Sequence, residues 1–375
     1  MRIFVPKESR TGERRVAITP DVIGRLKQNG LDVTIESDAG TSAGFGDELY
    51  RTAGATISPT AAFAEGDVVA SVVPITNEQF GQLRPGTITI SFLPIHSATE
   101  SIAASVAAKA TSFSLEAIPR ISRAQSMDAL TSQALCAGYR CALVGAELSP
   151  RFFPLLMTAA GTVTPAQVLV LGAGVAGLQA IATARRLGGV VSAYDVRSSS
   201  ADEVRSMGAT FIELELEALE GAGGYAREMD EARAQRQRDL LAPHIAAADV
   251  VITTAAVPGR TAPRLITKEM MTGMKEGSVI VDLASESGGN VEGSVAGETI
   301  KTPAGVTIWG GKDVPSQLPY HASQLLSRNI VNLLLLMTKE GVVTPDFEDE
   351  IVDASAATHN GTQRLPKPPA AGGQA

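Results

Sequence analysis

Residues 167–195 read QVLVLGAGVAGLQAIATARRLGGVVSAYD. An apolar run, Val168–Leu171, meets Gly172, Gly174 and Gly177 in the spacing G-x-G-x-x-G. A helical pattern (Leu178, Ile181, Ala182, Leu187), a second apolar run and Asp195 follow. The first glycine of such a motif permits a tight turn out of a strand. The second lets backbone N–H groups approach a pyrophosphate, and the third lets the helix pack closely on the strand. A helix N-terminus offers unpaired N–H donors and roughly half a positive charge, which suits an anion. An acid about 20 residues beyond the glycines takes ribose hydroxyls and repels a 2′-phosphate, favouring NAD over NADP. The plain alternative is a glycine-rich turn that holds nothing. Strand, helix and acid in the right order favour the dinucleotide.

The chain has 375 residues, a net charge of −8 and only 4% aromatic residues. Its mean hydropathy of +0.11 is that of a globular protein. Such a length predicts two or three domains. The acidic balance argues against nucleic acid or an anionic membrane as a main partner. Cys136 and Cys141 have no usual metal spacing and suit a reducing compartment. The start, MRIFVPKESR, lacks the apolar stretch of a signal peptide. The most apolar late segment, Ile330–Met337, contains Asn332 and is too short to span a bilayer. These features predict a soluble, cytoplasmic protein.

Outward from the glycine motif, short apolar runs alternate with helical patterns. In the first part of the chain, strands are predicted at residues 2–5, Asp32–Ile35, Val68–Val73, Thr87–Phe92 and Thr111–Ser114, with a helix at Pro20–Asn29. Such alternation implies a parallel sheet. Leu130–Leu148 reads as one long helix leaving this domain. Around the motif, strands are predicted at Val168–Leu171, Val190–Tyr194, Thr210–Ile212, Val250–Thr253, Ser278–Asp282 and Val306–Trp309. Six strands is the number of the doubly wound dinucleotide fold. Ser316–Met337 reads as a second long helix that returns the chain. The expected architecture is α/β: two Rossmann-like, doubly wound parallel-sheet domains joined by long helices. The first would be discontinuous, 1–129 plus 326–353. The second would span 130–325, with linking helices at both ends. The tail 354–375, ending PKPPAAGGQA, is expected to be flexible.

Between the strands near Ile212 and Val250 lies a charged insertion with a glycine-rich tip, Gly221–Gly224, and a single Tyr225. A mobile lid and a solvated helical hairpin explain it equally well. The segment PRISRAQSMDALTSQ (119–133) gathers Arg120, Arg123, Gln125, Ser126, Asp128 and Thr131. A cleft wall explains this polar density better than a loop capped at Ser126 or Asp128. His96, His244, His321 and His359 are scattered, and each reads as structural or surface. No metal site, nucleophile elbow or Walker loop is predicted. Oxidising an alcohol or amine moves a proton as well as a hydride and needs a placed acid or base. Hydride passing directly between two nicotinamides needs no proton at the reacting carbons. Orientation and exclusion of water suffice.

Several segments resemble the soluble NAD(H)-binding alpha subunit (domain I) of proton-translocating NAD(P) transhydrogenase. They are PKES with RVAITP (6–20), PRISRAQSMD (119–128), AGYR (137–140), VLGAGVAGLQAIATARRLG (170–188), AYDVR (193–197), EGAGGYA (220–226), VITTAAVPGR (251–260), GSVIVDLASESGGN (277–290) and PSQLP with ASQL (315–325). The resemblance implies that Gly172, Gly174, Val175 and Gly177 hold the pyrophosphate, and that Asp195, Val196 and Arg197 surround the adenosine ribose. It implies that Gly224 and Tyr225 belong to a loop closing over the nucleotide, and that Gln237 and Ala256 line the pocket. Arg120, Gln125, Asp128 and Thr131 are implied near the nicotinamide. Two departures stand out: Thr131 where the family commonly has serine, and Ser285 where it more often has an apolar residue.

Alanine dehydrogenase is a related family. Its substrate arginine is matched by Arg15. Its catalytic lysine has no counterpart in ASVVPIT (70–76), its histidine falls within SFLPI (91–95) with His96 displaced, and its aspartate is matched by Glu286. The resemblance therefore implies hydride transfer from bound NADH to NADP(H) on a partner subunit. It also implies a homodimer at the inner face of the cell membrane, docked on membrane-anchored transhydrogenase subunits that carry the proton path. An end at residue 375 resembles the arrangement in which domain I is a separate gene product. The rival readings are an NAD-dependent alanine (amino-acid) dehydrogenase and an NAD-sensing module without turnover.

Overall fold

In the computed structural model the β-branched runs become strands of two parallel sheets. The structure describes residues 1–216, 231–256 and 260–366. The chain divides into two compact units: Met1–Gln133 together with the chain from Ser316 onward, and Ala134–Pro315.

The first unit holds strands Arg2–Val5, Asp32–Glu36, Thr56–Ser58, Val68–Ala70, Ile88–Ser91 and Thr111–Ser114. In space they run 3-2-1-4-5-6, all parallel. Val68–Ala70 and Ile88–Ser91 are buried throughout, as central parallel strands covered on both faces must be. Thr56–Ser58 is an edge strand of three residues with no apolar run, so periodicity does not reveal it. The return helix, Pro319–Leu336, buries Leu326, Ile330, Val331, Leu333 and Leu334 in this unit's core. Ser323 and Ser327 on the same helix accept the backbone N–H groups of Val16 and Thr19, both at 3.0 Å. These contacts place the whole helix, and not only its part beyond residue 326, with the first unit.

The segment expected to be flexible from residue 354 is built into this unit as far as residue 366. Glu350–Ser355 is a helix capped by Asp349. Thr358–His359 then pairs with Thr362–Gln363. Thr358 is fully buried, its hydroxyl donating to the Ala110 carbonyl at 3.0 Å and accepting the Ser112 N–H at 3.1 Å. The low complexity that suggested a loose tail belongs to PKPPAAGGQA, and residues 367–375 lie outside the described residues.

The second unit repeats the order 3-2-1-4-5-6 with Gln167–Leu171, Val190–Tyr194, Thr210–Phe211, Val250–Thr253, Val279–Asp282 and Thr307–Gly310. Thr299–Lys301 adds an antiparallel edge strand that the sequence reading lacks. The sheet reverses between Gln167–Leu171 and its neighbours Val190–Tyr194 and Val250–Thr253, which is where doubly wound sheets bind ligands. The long helix Ala129–Leu148 begins in the first unit and continues into the second. A Cβ at Gly138 would lie 2.0 Å from the Ala176 carbonyl. Only glycine lets this helix approach the start of helix Val175–Arg186. Among the described residues, no helix is long and apolar enough to cross a membrane. The architecture is α/β with two parallel sheets.

Candidate functional site

The second unit builds its site from the turn after Gln167–Leu171. Gly172 has φ +102°, a backbone that favours glycine. A Cβ at Gly177 would sit 1.9 Å from the Gly172 carbonyl, so the third glycine sets how closely helix and strand meet. A Cβ at Gly174 would meet nothing within 4 Å. The second glycine therefore faces open space, as a position approached by a ligand must. Helix Val175–Arg186 starts there with no side-chain cap, leaving its first N–H groups for an anion. The residues present fit a dinucleotide pyrophosphate.

Asp195 follows strand Val190–Tyr194 and is nearly buried. Its Oδ2 accepts the Ala173 N–H at 2.7 Å, tying the acid to the glycine turn. Arg197 closes on it from the other side. Its backbone N–H and Nε donate to Oδ1 at 2.9 and 3.0 Å, and Nη2 donates to Oδ2 at 3.1 Å. Val196 lies partly exposed between them. Asp195 thus carries a paired charge, so discrimination against a 2′-phosphate depends on Arg197 as well. Gln237, implied as a pocket residue, is buried beside Tyr194. Burial raises the Tyr194 phenol pKa, and the Gln237 hydrogen bond opposes that rise. Ala256 is exposed at the end of the described segment that follows Val250–Thr253. Gly224 and Tyr225 lie outside the described residues.

One hub at this end of the sheet escaped the sequence reading. Asp282, fully buried, accepts the Thr253 hydroxyl at 3.0 Å, the Ala284 N–H at 3.1 Å and the Val291 N–H at 3.2 Å. Asn290, also buried, donates to the carbonyls of Ala255 and Pro263 at 2.8 Å each and accepts the Ala255 N–H at 3.2 Å. Together they fix the loops beyond Val250–Thr253 and Val279–Asp282. In the sequence, SGGN reads as an ordinary turn. Ser285 bonds the Asp282 carbonyl and Ser294 at 2.8 and 2.7 Å, so its hydroxyl has a local structural use.

In the first unit, residues 119–133 form a short 3-10 helix, Ser122–Met127, followed by the long helix. Asp128 caps that helix: its carboxylate accepts the Thr131 N–H at 2.9 Å and the Thr131 hydroxyl at 2.7 Å. A serine hydroxyl could serve the same role, which explains why threonine is tolerated. Gln125 and Arg120 are exposed. Arg123 donates to Asp349 at 2.5 and 3.2 Å. Asp128 and Thr131 are thus joined directly, and Gln125 presents a neutral amide on the loop before them.

Arg15 lies deeper. Its Nε and Nη2 donate to the two oxygens of Glu13 at 2.8 and 2.7 Å, and Nη1 donates to Gln133 at 2.9 Å. Ser316 donates to Glu13 at 2.7 Å. Burial alone would raise the Glu13 carboxyl, but Arg15 and these donors hold it at about 2. Nearby Glu8 accepts the Val72 N–H at 2.6 Å. Burial, aided by the charge of Glu13, pushes it up to about 7. Of the histidines, His96, His244 and His321 are exposed, and His359 bonds the Thr111 hydroxyl at 2.9 Å.

The family model described as alanine dehydrogenase/PNT, C-terminal domain, matches residues 141–366, and its N-terminal counterpart matches residues 4–137. The chain belongs to the alanine dehydrogenase/PNT family. Within it, an NAD(P) transhydrogenase subunit alpha polypeptide of Rhodospirillum rubrum is 44% identical, over 96% of this chain and 97% of that protein. A solved transhydrogenase from Sinorhizobium meliloti superposes with a TM-score of 0.86 at 41% identity, covering 98% of this chain and 99% of that one. Alanine dehydrogenase of Bacillus subtilis is 30% identical over 96% of this chain and 92% of its own length. At the substrate positions implied for the dehydrogenase branch, this chain has Val72, Val73 and an Arg15 already bonded to Glu13.

Proposed function

We propose that this chain is the NAD(H)-binding component of a proton-translocating NAD(P) transhydrogenase. One contrast carries the reading: the structure is open at Gly174 and closed at Arg15. The open glycine and the uncapped helix start bind a pyrophosphate through backbone N–H groups. The arginine that would take an amino-acid carboxylate is spent on Glu13 and Gln133. Val72 and Val73 supply no amine. The 44% identity to a transhydrogenase alpha subunit along nearly its whole length supports the same side.

NADH, when bound, supplies the hydride. The chain's residues do the rest. Gly172, Gly174, Val175 and Gly177 hold the pyrophosphate. Asp195, Val196 and Arg197 address the adenosine ribose, with Gln237 and Ala256 around them; Gly224 and Tyr225 cover the nucleotide. Gln125, with Arg120, Asp128 and Thr131, orients the nicotinamide. An amide neither gains nor loses a proton near neutral pH, which suits a step without acid–base chemistry. The acceptor, NADP⁺, is held on a partner subunit. The chain works as a homodimer on membrane-anchored subunits that carry the proton path. The domain around the glycine turn carries NAD(H), and the other supplies the polar loop.

Assaying the purified chain with and without partner subunits tests this. The expected result is NADH-dependent reduction of NADP⁺ only with the NADP(H)-binding subunit present. Reduction of NAD⁺ by L-alanine with the chain alone would identify an amino-acid dehydrogenase instead. Nucleotide binding with neither activity would leave a sensor.

A further inference from the structure

The 3-10 helix Ser122–Met127 is only six residues long, and such helices do not hold their own geometry well. The last carbonyls of any helix lack a partner inside it. Here the Ser126 carbonyl accepts two side-chain amides from the return helix: Asn329 Nδ2 at 3.0 Å and Asn332 Nδ2 at 2.9 Å. Both acceptor positions of one carbonyl are therefore filled. The two asparagines are three residues apart on Pro319–Leu336, so they share a face.

Each amide is itself held. Asn329 Oδ1 accepts the Ser132 hydroxyl at 2.7 Å, and Asn332 Oδ1 accepts Arg25 Nη1 at 2.8 Å. Gln133 Nε2 donates to Ser132 at 3.2 Å and to the Ala322 carbonyl at 3.0 Å. With a donor on each oxygen, both NH₂ groups must face Ser126. Asn329 is only 7% exposed and stands beside fully buried Ile330 and Leu333. A leucine there would bury apolar surface without a polar group to satisfy. The amide is used to fix a loop.

Gln125 immediately precedes Ser126. We propose that Asn329 and Asn332 are positioning residues for Gln125, holding the Ser126 peptide so that the neighbouring side chain meets the nicotinamide in a reactive orientation. This rests on the reading in which Gln125 orients that ring. The two asparagines touch neither nucleotide nor reacting atoms. They act on the rate of hydride transfer and leave nucleotide affinity to the glycine turn and Asp195.

The test is single-turnover hydride transfer from NADH to NADP⁺ by the full chain assembled with its partner subunits. NADH dissociation constants and melting temperatures are measured alongside. The variants are Asn329→Leu, Asn332→Leu and the milder Asn332→Ser, each alone and combined with Gln125→Asn. Since a misplacement of about 1 Å can cost ~100-fold, each Leu variant should slow transfer roughly tenfold while the NADH constant stays within about twofold. In the Gln125→Asn background the asparagine variants should slow transfer little further, because residues acting through one another are not additive. Wild-type rates in the asparagine variants, or fully additive slowing, would overturn the proposal while leaving the role of Gln125 intact. A Gln125→Asn chain that reacts at the wild-type rate would overturn the role of Gln125, and this proposal with it. Should the Leu variants fail to fold, Asn332→Ser gives the same contrast.

Discussion

At the scale of single residues, the three glycines of the motif do different work, and substitution should separate them. Gly174→Ala adds a methyl group to open space. The variant should melt like the wild type yet bind NADH on the order of tenfold more weakly, a loss of about 1.4 kcal/mol. Gly177→Ala drives a carbon against the Gly172 carbonyl at 1.9 Å. It should destabilise the second unit by roughly 3 kcal/mol or more, because overpacking between backbones has nowhere to relax. Thermal melts and titration calorimetry distinguish the two. Equal loss of stability in both variants would contradict the division of roles.

Asp195 and Arg197 set a second contrast. The wild type should bind NADH more tightly than NADPH, and equal dissociation constants would count against the role of Asp195. Asp195→Ala removes the carboxylate and frees the Arg197 guanidinium for a 2′-phosphate. NADH affinity should fall about tenfold, as one charge-assisted contact is lost, and the preference over NADPH should shrink. A preference that survives intact in Asp195→Ala would place the discrimination elsewhere.

At the scale of elements, the N-terminal loop from Glu8 to Arg15 carries two carboxyls that titrate in opposite senses. Glu13 lies near 2, below its ordinary value of 4.5, so its contribution to stability is present at neutral pH and fades only in strong acid. Glu8 lies near 7, above 4.5. The folded chain then binds a proton that the unfolded chain has released. Stability from this group is present below its unfolded value and is lost as pH rises through about 7. Glu8→Gln, neutral throughout, should therefore gain on the wild type between pH of about 5 and 8, by roughly 1–3 kcal/mol. Chemical denaturation across that range reads the effect. A difference that does not change with pH would show that Glu8 is not protonated in the folded state.

The elements also show what the sequence makes legible. Long, strongly apolar strands such as Val68–Ala70 and Gln167–Leu171, and the two long helices, follow from periodicity because both of their faces are buried. Thr56–Ser58 and Thr299–Lys301 do not, because edge strands need neighbours more than apolar side chains. Thr358 is buried by hydroxyl pairing with Ser105 at 2.7 Å, and a chain of polar contacts leaves no hydrophobic pattern to read. The glycine turn and Asp195 are legible since each residue type is forced by local backbone geometry. The Asp282–Asn290 hub and the Ser126 carbonyl held by two asparagines are not. Their partners lie far apart in sequence, and an asparagine gives no sign of which carbonyl it will find.

At the scale of the whole molecule, the chain is two doubly wound sheets with different tasks. One supplies an open glycine turn and a paired acid. The other supplies a polar loop tied down by buried amides, with its buried arginine closed by Glu13. That division fits a protein that orients a nicotinamide for another subunit and does not oxidise a small molecule by itself. The most direct measurement follows deuterium from the transferable C4 position of NADH in the assembled complex. Direct transfer between nicotinamides predicts that the label is recovered in NADPH without loss to solvent, at a rate reduced by Gln125→Asn and unchanged by His96→Ala or His321→Ala. Label exchanged into water, or a rate abolished by either histidine substitution, would contradict it and point to an acid–base dehydrogenase.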